Sequence, residues 1–304
     1  MCLPILKLFS GLGIILVNSM QNLTMKFLTA IIIIGLCSLH TKAQNFHLNL
    51  FGGVANYQGD LQPKRFAFQQ SKLAIGVGGE YEVSPLFWLR TQVTIGQIGA
   101  DDKKYVQHAD RNLNFTSNIQ ELQLVGQFLF RNLEDYRFTP YVFGGVAGFH
   151  FNPYTHDTTG TKYFLKPLST EGEGFVDGRK NYSLTQFSIP FGGGVKINMS
   201  NKFIVGFEMG FRKTFTDYLD DVSTTYVDQN LLLTNKGAKA VELAYRGGEL
   251  KNGGTYPPDR SLRGGASKKD LYYFAGATLT YRFGSLGGGT DKKNIISCPS
   301  AAGL

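Results

Sequence analysis

Residues 203–228 read FIVGFEMGFRKTFTDYLDDVSTTYVD, and their first half is a strand written in two alphabets. Phe203, Val205, Phe207, Met209, Phe211 and Phe215 fill the odd positions with apolar side chains, broken only by Lys213. After Ile204 the even positions Gly206, Glu208, Gly210, Arg212, Thr214 and Thr216 are small or polar. A period of two over this length sets one face against an apolar medium and the other against a polar one. The second half drops the alternation for an acidic, hydroxyl-rich loop: Asp217, Asp220, Asp221, Ser223, Thr224, Thr225, Tyr226 and Asp228. What apolar medium the strand meets, and what the loop is for, have to be read from the rest of the chain.

Seven other stretches share the design: 45–54, 72–83, 86–98, 118–130, 141–151, 182–198 and 271–283. In the second, Leu73, Ile75, Val77, Tyr81 and Val83 stand against Lys72, Gly76, Gly78, Glu80 and Glu82. In the third, Phe87, Leu89, Val93 and Ile95 stand against Trp88, Arg90, Gln92 and Thr94. The fifth carries Tyr141, Phe143, Ala147, Phe149 and Phe151 on one face, which is assigned to the same apolar medium. The connections alternate between short turns and long loops, the last running from about 217 to 270. Eight strands with short turns at one end and long loops at the other predict an all-β fold. The expected form is an eight-stranded antiparallel up-and-down transmembrane barrel over 44–285, its short turns periplasmic and its long loops extracellular. Closure satisfies the backbone hydrogen bonds, as lipid requires.

The alternative is a secreted lipocalin-like barrel with its apolar face inward. Three features weigh against it. The minority face carries charges of both signs, Glu80, Glu82, Arg90, Glu121, Lys196, Glu208 and Arg212, suited to a salt-bridge network across the lumen. The majority face is rich in Phe and Tyr, and the last strand ends on the aromatic Phe283. A barrel of eight strands has room inside only for side chains, so no open pore is expected.

The N-terminus supports an extracytoplasmic address. Met25-Lys26 opens a positive segment, residues 27–36 form an apolar core, and Thr41-Lys42-Ala43 precedes Gln44 as a small-x-small cleavage site. Residues 1–43 are therefore read as a signal peptide. Residues 1–24 are taken as an upstream start, with a double anchor as the alternative. Cys37 follows Leu36, where a lipoprotein signal takes a small residue, which argues against lipidation. Cleavage removes Lys7, Lys26 and Lys42 and no acid, taking the net charge from +8 to +5, 28 basic against 23 acidic residues. Without a lysine-arginine block, that balance does not point to nucleic acid. Cys298 alone remains, so no intramolecular disulfide is available. Residues 286–304 are a polar, glycine-rich tail, read as flexible.

Catalytic chemistry does not emerge. No histidine sits in a zinc motif, and no cofactor site is read. His108, Asp110, His156 and Asp157 fall in outer loops but lack the context of a serine hydrolase. Asp217, Asp220, Asp221 and Asp228 have the carboxylates that calcium needs, without the spacing of an EF-hand, and are read as structural.

Two segments carry a family resemblance. LFGGVANYQGDL at 50–61, with Gly52, Gly53, Asn56, Tyr57, Gly59 and Asp60, resembles the first-strand motif of the DUF6089 family of Bacteroidetes outer-membrane barrels. TFTDYLDDVSTTYVD at 214–228, with Asp217, Tyr218, Asp220, Asp221 and Tyr226, resembles that family's most distinctive segment. The family includes PorG of the type IX secretion system. The resemblance implies a non-enzymatic barrel set in outer-membrane lipid, anchoring a periplasmic PorK–PorN-like lipoprotein ring. Its working surface would then be the periplasmic turns: Ser84, Pro85, Asn132, Glu134, Asp135, Tyr136, Arg137, Asn201 and Lys202. Long loops that recognise an external ligand are the other reading.

Overall fold

The computed structural model describes residues 45–62, 68–104, 110–265 and 269–283; the expected signal peptide and tail lie outside them. The strands in chain order are β1 (Phe46–Gln58), β2 (Lys72–Ser84), β3 (Phe87–Asp101), β4 (Asn114–Leu129), β5 (Phe138–His150), β6 (Pro153–His156), β7 (Lys162–Phe164), β8 (Thr185–Asn198), β9 (Phe203–Thr214) and β10 (Leu271–Arg282). Each wall pairing is antiparallel. β1 pairs with both β2 and β10, and β3 with both β2 and β4, so the ring β1-β2-β3-β4-β5-β8-β9-β10 closes. β6 and β7 are a short hairpin outside the ring, attached to the upper end of β4.

Alternation decides which way the wall faces. Along β3 and β4 every second side chain is buried and its neighbour exposed. The exposed set is apolar: Leu73 is 74% exposed and Phe187 76%, with Ile75, Val93, Ile95, Leu122, Leu124, Val146 and Phe207 beside them. The buried set is polar, with Glu80, Arg90, Thr94 and Gln127 at 0%. A water-soluble barrel has the opposite arrangement, and so broad an apolar belt would aggregate in water. An outer wall of this kind matches lipid. At the turn end the belt finishes in packed rings: Phe46 on Phe283, Tyr281 between Phe203 and Phe283, Phe128 on Phe130.

One strand reverses the sequence expectation. Tyr141, Phe143, Ala147 and Phe149 of β5, with Phe151 just beyond it, face inward and are 5% exposed or less. The lipid side of β5 is Phe138, Val142 and Val146. Both faces of this strand are apolar, so periodicity cannot tell inside from outside. Space decides instead. A Cβ on Gly192 or Gly210 would stand 2.8 or 2.6 Å from the tip of the Phe143 ring, so these two glycines leave the room it occupies. In the first motif, Gly53 and Gly276 are register partners, and a Cβ on either would run into the other's backbone.

Several strands run past their expected ends, β4 beginning at Asn114 and β3 reaching Asp101. There the outer face turns polar, with exposed Gln97 bonded to Asn118 at 2.8 Å, so the apolar-polar contrast fades. The last long loop also holds two helices, α1 (Gln229–Lys236) and α2 (Ala238–Ala244), which the all-β expectation did not include. Asp228 caps α1 by accepting from Leu231 N at 2.9 Å, and Leu232, Ala240 and Ala244 pack on Val227.

Candidate functional site

The lumen is filled by ion pairs stacked along the barrel. Near the turn end, Lys196 Nζ lies 2.9 Å from both oxygens of Glu80 and 4.2 Å from the Trp88 ring centroid. Arg90 Nη1 donates to Glu208 Oε2 at 2.6 Å, and Arg90 lies over the Phe143 ring. Arg212 grips Glu121 with Nε and Nη2 at 3.1 and 3.0 Å, over the Phe274 ring, while Tyr272 donates to the same carboxylate at 2.6 Å. Six of the seven charged lumen residues read from the sequence thus meet in three pairs. Glu82 stands apart at the rim, 3.5 Å from His47 Nε2. Glu208 and Arg212, four apart on β9, each choose a partner across the barrel.

Above the lumen the loops fold into a canopy, and the two family motifs meet there. Tyr57 donates to Asp220 Oδ2 at 2.6 Å, and Asp270 Oδ1 is 3.0 Å from the same hydroxyl. One hydroxyl carries one hydrogen, so holding both carboxyls calls for a proton on one acid. Asp60 accepts from Gly265 N at 2.9 Å, Gly59 bridges to Gln62, and Asn56 accepts from Ser71 at 2.8 Å. Asp217 accepts from Ser223, and Asp221 from Thr170 and Tyr182. Tyr218 stacks on Tyr182 at 4.7 Å, and Tyr226 packs edge-on against Tyr245 and Tyr256.

Two residues that sequence reading missed hold this segment down. Glu171 takes Ser223 N, Thr224 N and Thr224 Oγ1 at 2.7–2.9 Å and Arg263 Nη1 at 3.1 Å. Arg263 also donates to the Asp221 and Ala244 carbonyls. The available signal was Glu171-Gly172-Glu173-Gly174, where both glycines take φ near +85° and turn acids inward. Arg111 locks a third corner, gripping Asp102 at 2.8 and 2.9 Å.

The aspartates of 217–228 therefore each have a separate structural bond, and among the described residues no three acids, histidines or cysteines are set to hold a metal. Asp157 is taken by Thr159, Thr161 and Lys239, and His156 packs against Tyr154. His108 lies outside the described residues. Local bonds shape the periplasmic turns: Ser84 accepts from Phe87 N, Asn132 from Glu134 N, and Tyr136 lies under Arg131. Pro85, Asp135, Arg137, Asn201 and Lys202 complete these turns.

Burial sets the canopy's proton chemistry. It raises Asp217 and Asp221 to about 6 and Glu173 to about 8, the last aided by Asp221 and Glu171. It also drives Asp220 and Asp270 well above the carboxylate range, with Asp60 adding to the first and Asp220 to the second. Raised folded values mean the native canopy keeps protons that an unfolded chain releases near pH 4. The stability they contribute is complete below about pH 4 and falls as pH rises through 6 and 8. Amide exchange across 217–228, corrected for intrinsic rates, should therefore be less protected at pH 8.5 than at pH 5.5. Equal protection at both would contradict this.

A closed eight-stranded barrel with apolar exterior and plugged, charged lumen is an outer-membrane β-barrel. Residues 25–236 match the family described as a domain of unknown function, DUF6089, and the chain belongs to that family. No curated protein matches it in sequence. Among solved structures it is similar to Neisserial surface protein A (8% identity, 79% of this chain and 97% of that one, TM-score 0.39). The attachment invasion locus protein Ail of Yersinia pestis gives 8% identity, 78% and 97% coverage and a TM-score of 0.38. OprG of Pseudomonas aeruginosa gives 10%, 79% and 97% and 0.36.

Proposed function

We propose that this barrel is a non-enzymatic anchor of the type IX protein secretion machinery, contacting a periplasmic PorK–PorN-like lipoprotein ring. The observation that carries it is the filled lumen. Three buried ion pairs and the aromatic side chains of β5 and β10 occupy the interior, so transport through the barrel is not its work. The canopy ties its polar groups to one another, whereas Tyr136, Glu134, Asp135 and Lys202 stand exposed at the turn end. Membership of the DUF6089 family and the two motifs support the same reading. Deleting the gene should abolish export of type IX substrates, and a tagged barrel should bring down the ring lipoproteins. Normal export in the deletion strain would sink the proposal.

A second reading rests on a cavity of about 490 Å³ in the canopy, whose lining includes Tyr226, Tyr245, Arg111, Arg263, Asp60 and Asp110. Its mix of tyrosine faces with charges of both signs suits a polar external ligand. Under that reading Tyr245→Ala loses surface binding while export continues.

A further inference from the structure

The floor of the lumen, beside the periplasmic turns, carries buried N–H groups that make no hydrogen bond. Arg282 is 3% exposed, and its Nε and Nη1 have no hydrogen-bond partner. His47 is its register partner on β1 and is 1% exposed, with neither ring nitrogen hydrogen-bonded. The Trp88 ring lies 5.0 Å from His47, and its Nε1 is buried and unpartnered as well. No carboxylate hydrogen-bonds Arg282 Nε or Nη1, although Glu82, Glu134 and Glu80 are near enough to act on its charge. Glu80 is taken by Lys196, Gln127 and Thr280, and Glu82 stands beside His47 with its side chain 23% exposed.

The contrast with the other lumen cations is what points to a ligand. Arg90, Lys196 and Arg212 each hold a carboxylate at 3.0 Å or closer, whereas Arg282 has none among the described residues. Two buried guanidinium N–H groups without an acceptor are costly, and no bonded carboxylate offsets them as Glu208 does for Arg90. Arg282 stands at the barrel's end, its backbone N donating to Lys202 O in the β8–β9 turn. The Arg282 guanidinium can donate two N–H groups at once to a carboxylate, and its register partner His47, with Trp88 beside it, brings ring N–H groups to the same end of the barrel. They lie inside the wall, where lipid headgroups outside the barrel do not reach.

We propose that the periplasmic mouth is a receptor for a carboxylate side chain presented by a periplasmic protein, with Arg282 its main donor and His47 and Trp88 completing the seat. The protein source rests on the secretion-anchor reading; the carboxylate chemistry stands on the geometry alone.

Trp88 is the only tryptophan of the protein, so its emission reports the seat directly. The purified barrel in detergent micelles is titrated with acetyl-Gly-Glu-Gly-amide, its Gln counterpart and inorganic phosphate. The Glu peptide should shift Trp88 emission saturably, the Gln peptide should not, and phosphate should need higher concentration. Arg282→Met should weaken the response by about tenfold or more, because one partner of a buried charge pair is lost. The same variant should leave the barrel at least as resistant to denaturant, since an uncompensated charge is removed. In cells it should cut co-purified ring lipoprotein while barrel abundance is unchanged. Absence of a wild-type response, an equal response in Arg282→Met, a phosphate response as tight as the peptide's, or a destabilised Arg282→Met barrel would each overturn the proposal. If the peptide titration behaves as stated but the wild-type barrel captures no ring protein, the secretion reading falls and the carboxylate seat remains.

Discussion

Replacing Arg212 with Met is expected to lower the stability of the folded barrel by about 3–5 kcal/mol, measured as the denaturant midpoint of the heat-modifiable band in lipid vesicles. Arg212 is 2% exposed and makes a bidentate pair with Glu121, which is 1% exposed. Removing the guanidinium leaves a buried carboxylate held by Tyr272 alone, and also strips donors from Gln123 and the Gly210 carbonyl. The cost comes from the stranded charge more than from the lost bond. Adding Glu121→Gln to Arg212→Met should therefore recover most of the loss. Equal damage in the single and double variants would show that packing of the arginine stem over Phe274, and not charge, is what matters.

Glu171→Ala should act on the canopy and spare the barrel. It removes the acceptor of two backbone amides, two hydroxyls and Arg263, and leaves that guanidinium, 4% exposed, without its carboxylate. The local opening free energy of the 217–228 segment should fall by about 3–5 kcal/mol, because a buried pair is broken. Wall strands share no side chain with Glu171, so the denaturant midpoint of the barrel should stay put while protease cuts the 217–270 loop at least tenfold faster, given about 1.4 kcal/mol per decade. Barrel and canopy weakening together would show that they unfold as one unit.

Legibility of the candidate site followed the range over which each interaction acts. Glu80, Arg90, Glu121, Lys196, Glu208 and Arg212 could be assigned to the lumen because a strand's two faces alternate within a few residues. Their partners could not. Arg212 has a carboxylate four residues away on its own face, yet the antiparallel ring brings Glu121 of β4 to it and gives Glu208 to Arg90 of β3. Glu171 had only Gly172 and Gly174 beside it as a local signal, and nothing near Arg263 and Asp270 in the chain distinguishes a buried canopy residue from a solvated loop residue. The side-chain bonds described for them span 19 to 213 residues of sequence.

For residues 203–228, alternation alone determined that Phe203–Thr214 is a wall strand with charge on one side and apolar groups on the other, and seven similar stretches determined the strand count. Period-two patterning is a local property, written wherever a strand separates two media. Tertiary structure decided which medium each face of β5 meets, because both its faces are apolar and only the room left by Gly192 and Gly210 directs Phe143 inward. It decided as well that the acidic half of the segment is buried rather than solvated. Tyr57, Thr170, Glu171, Tyr182 and Arg263 arrive from four separate parts of the chain to satisfy it, and only closure of the barrel brings them within reach.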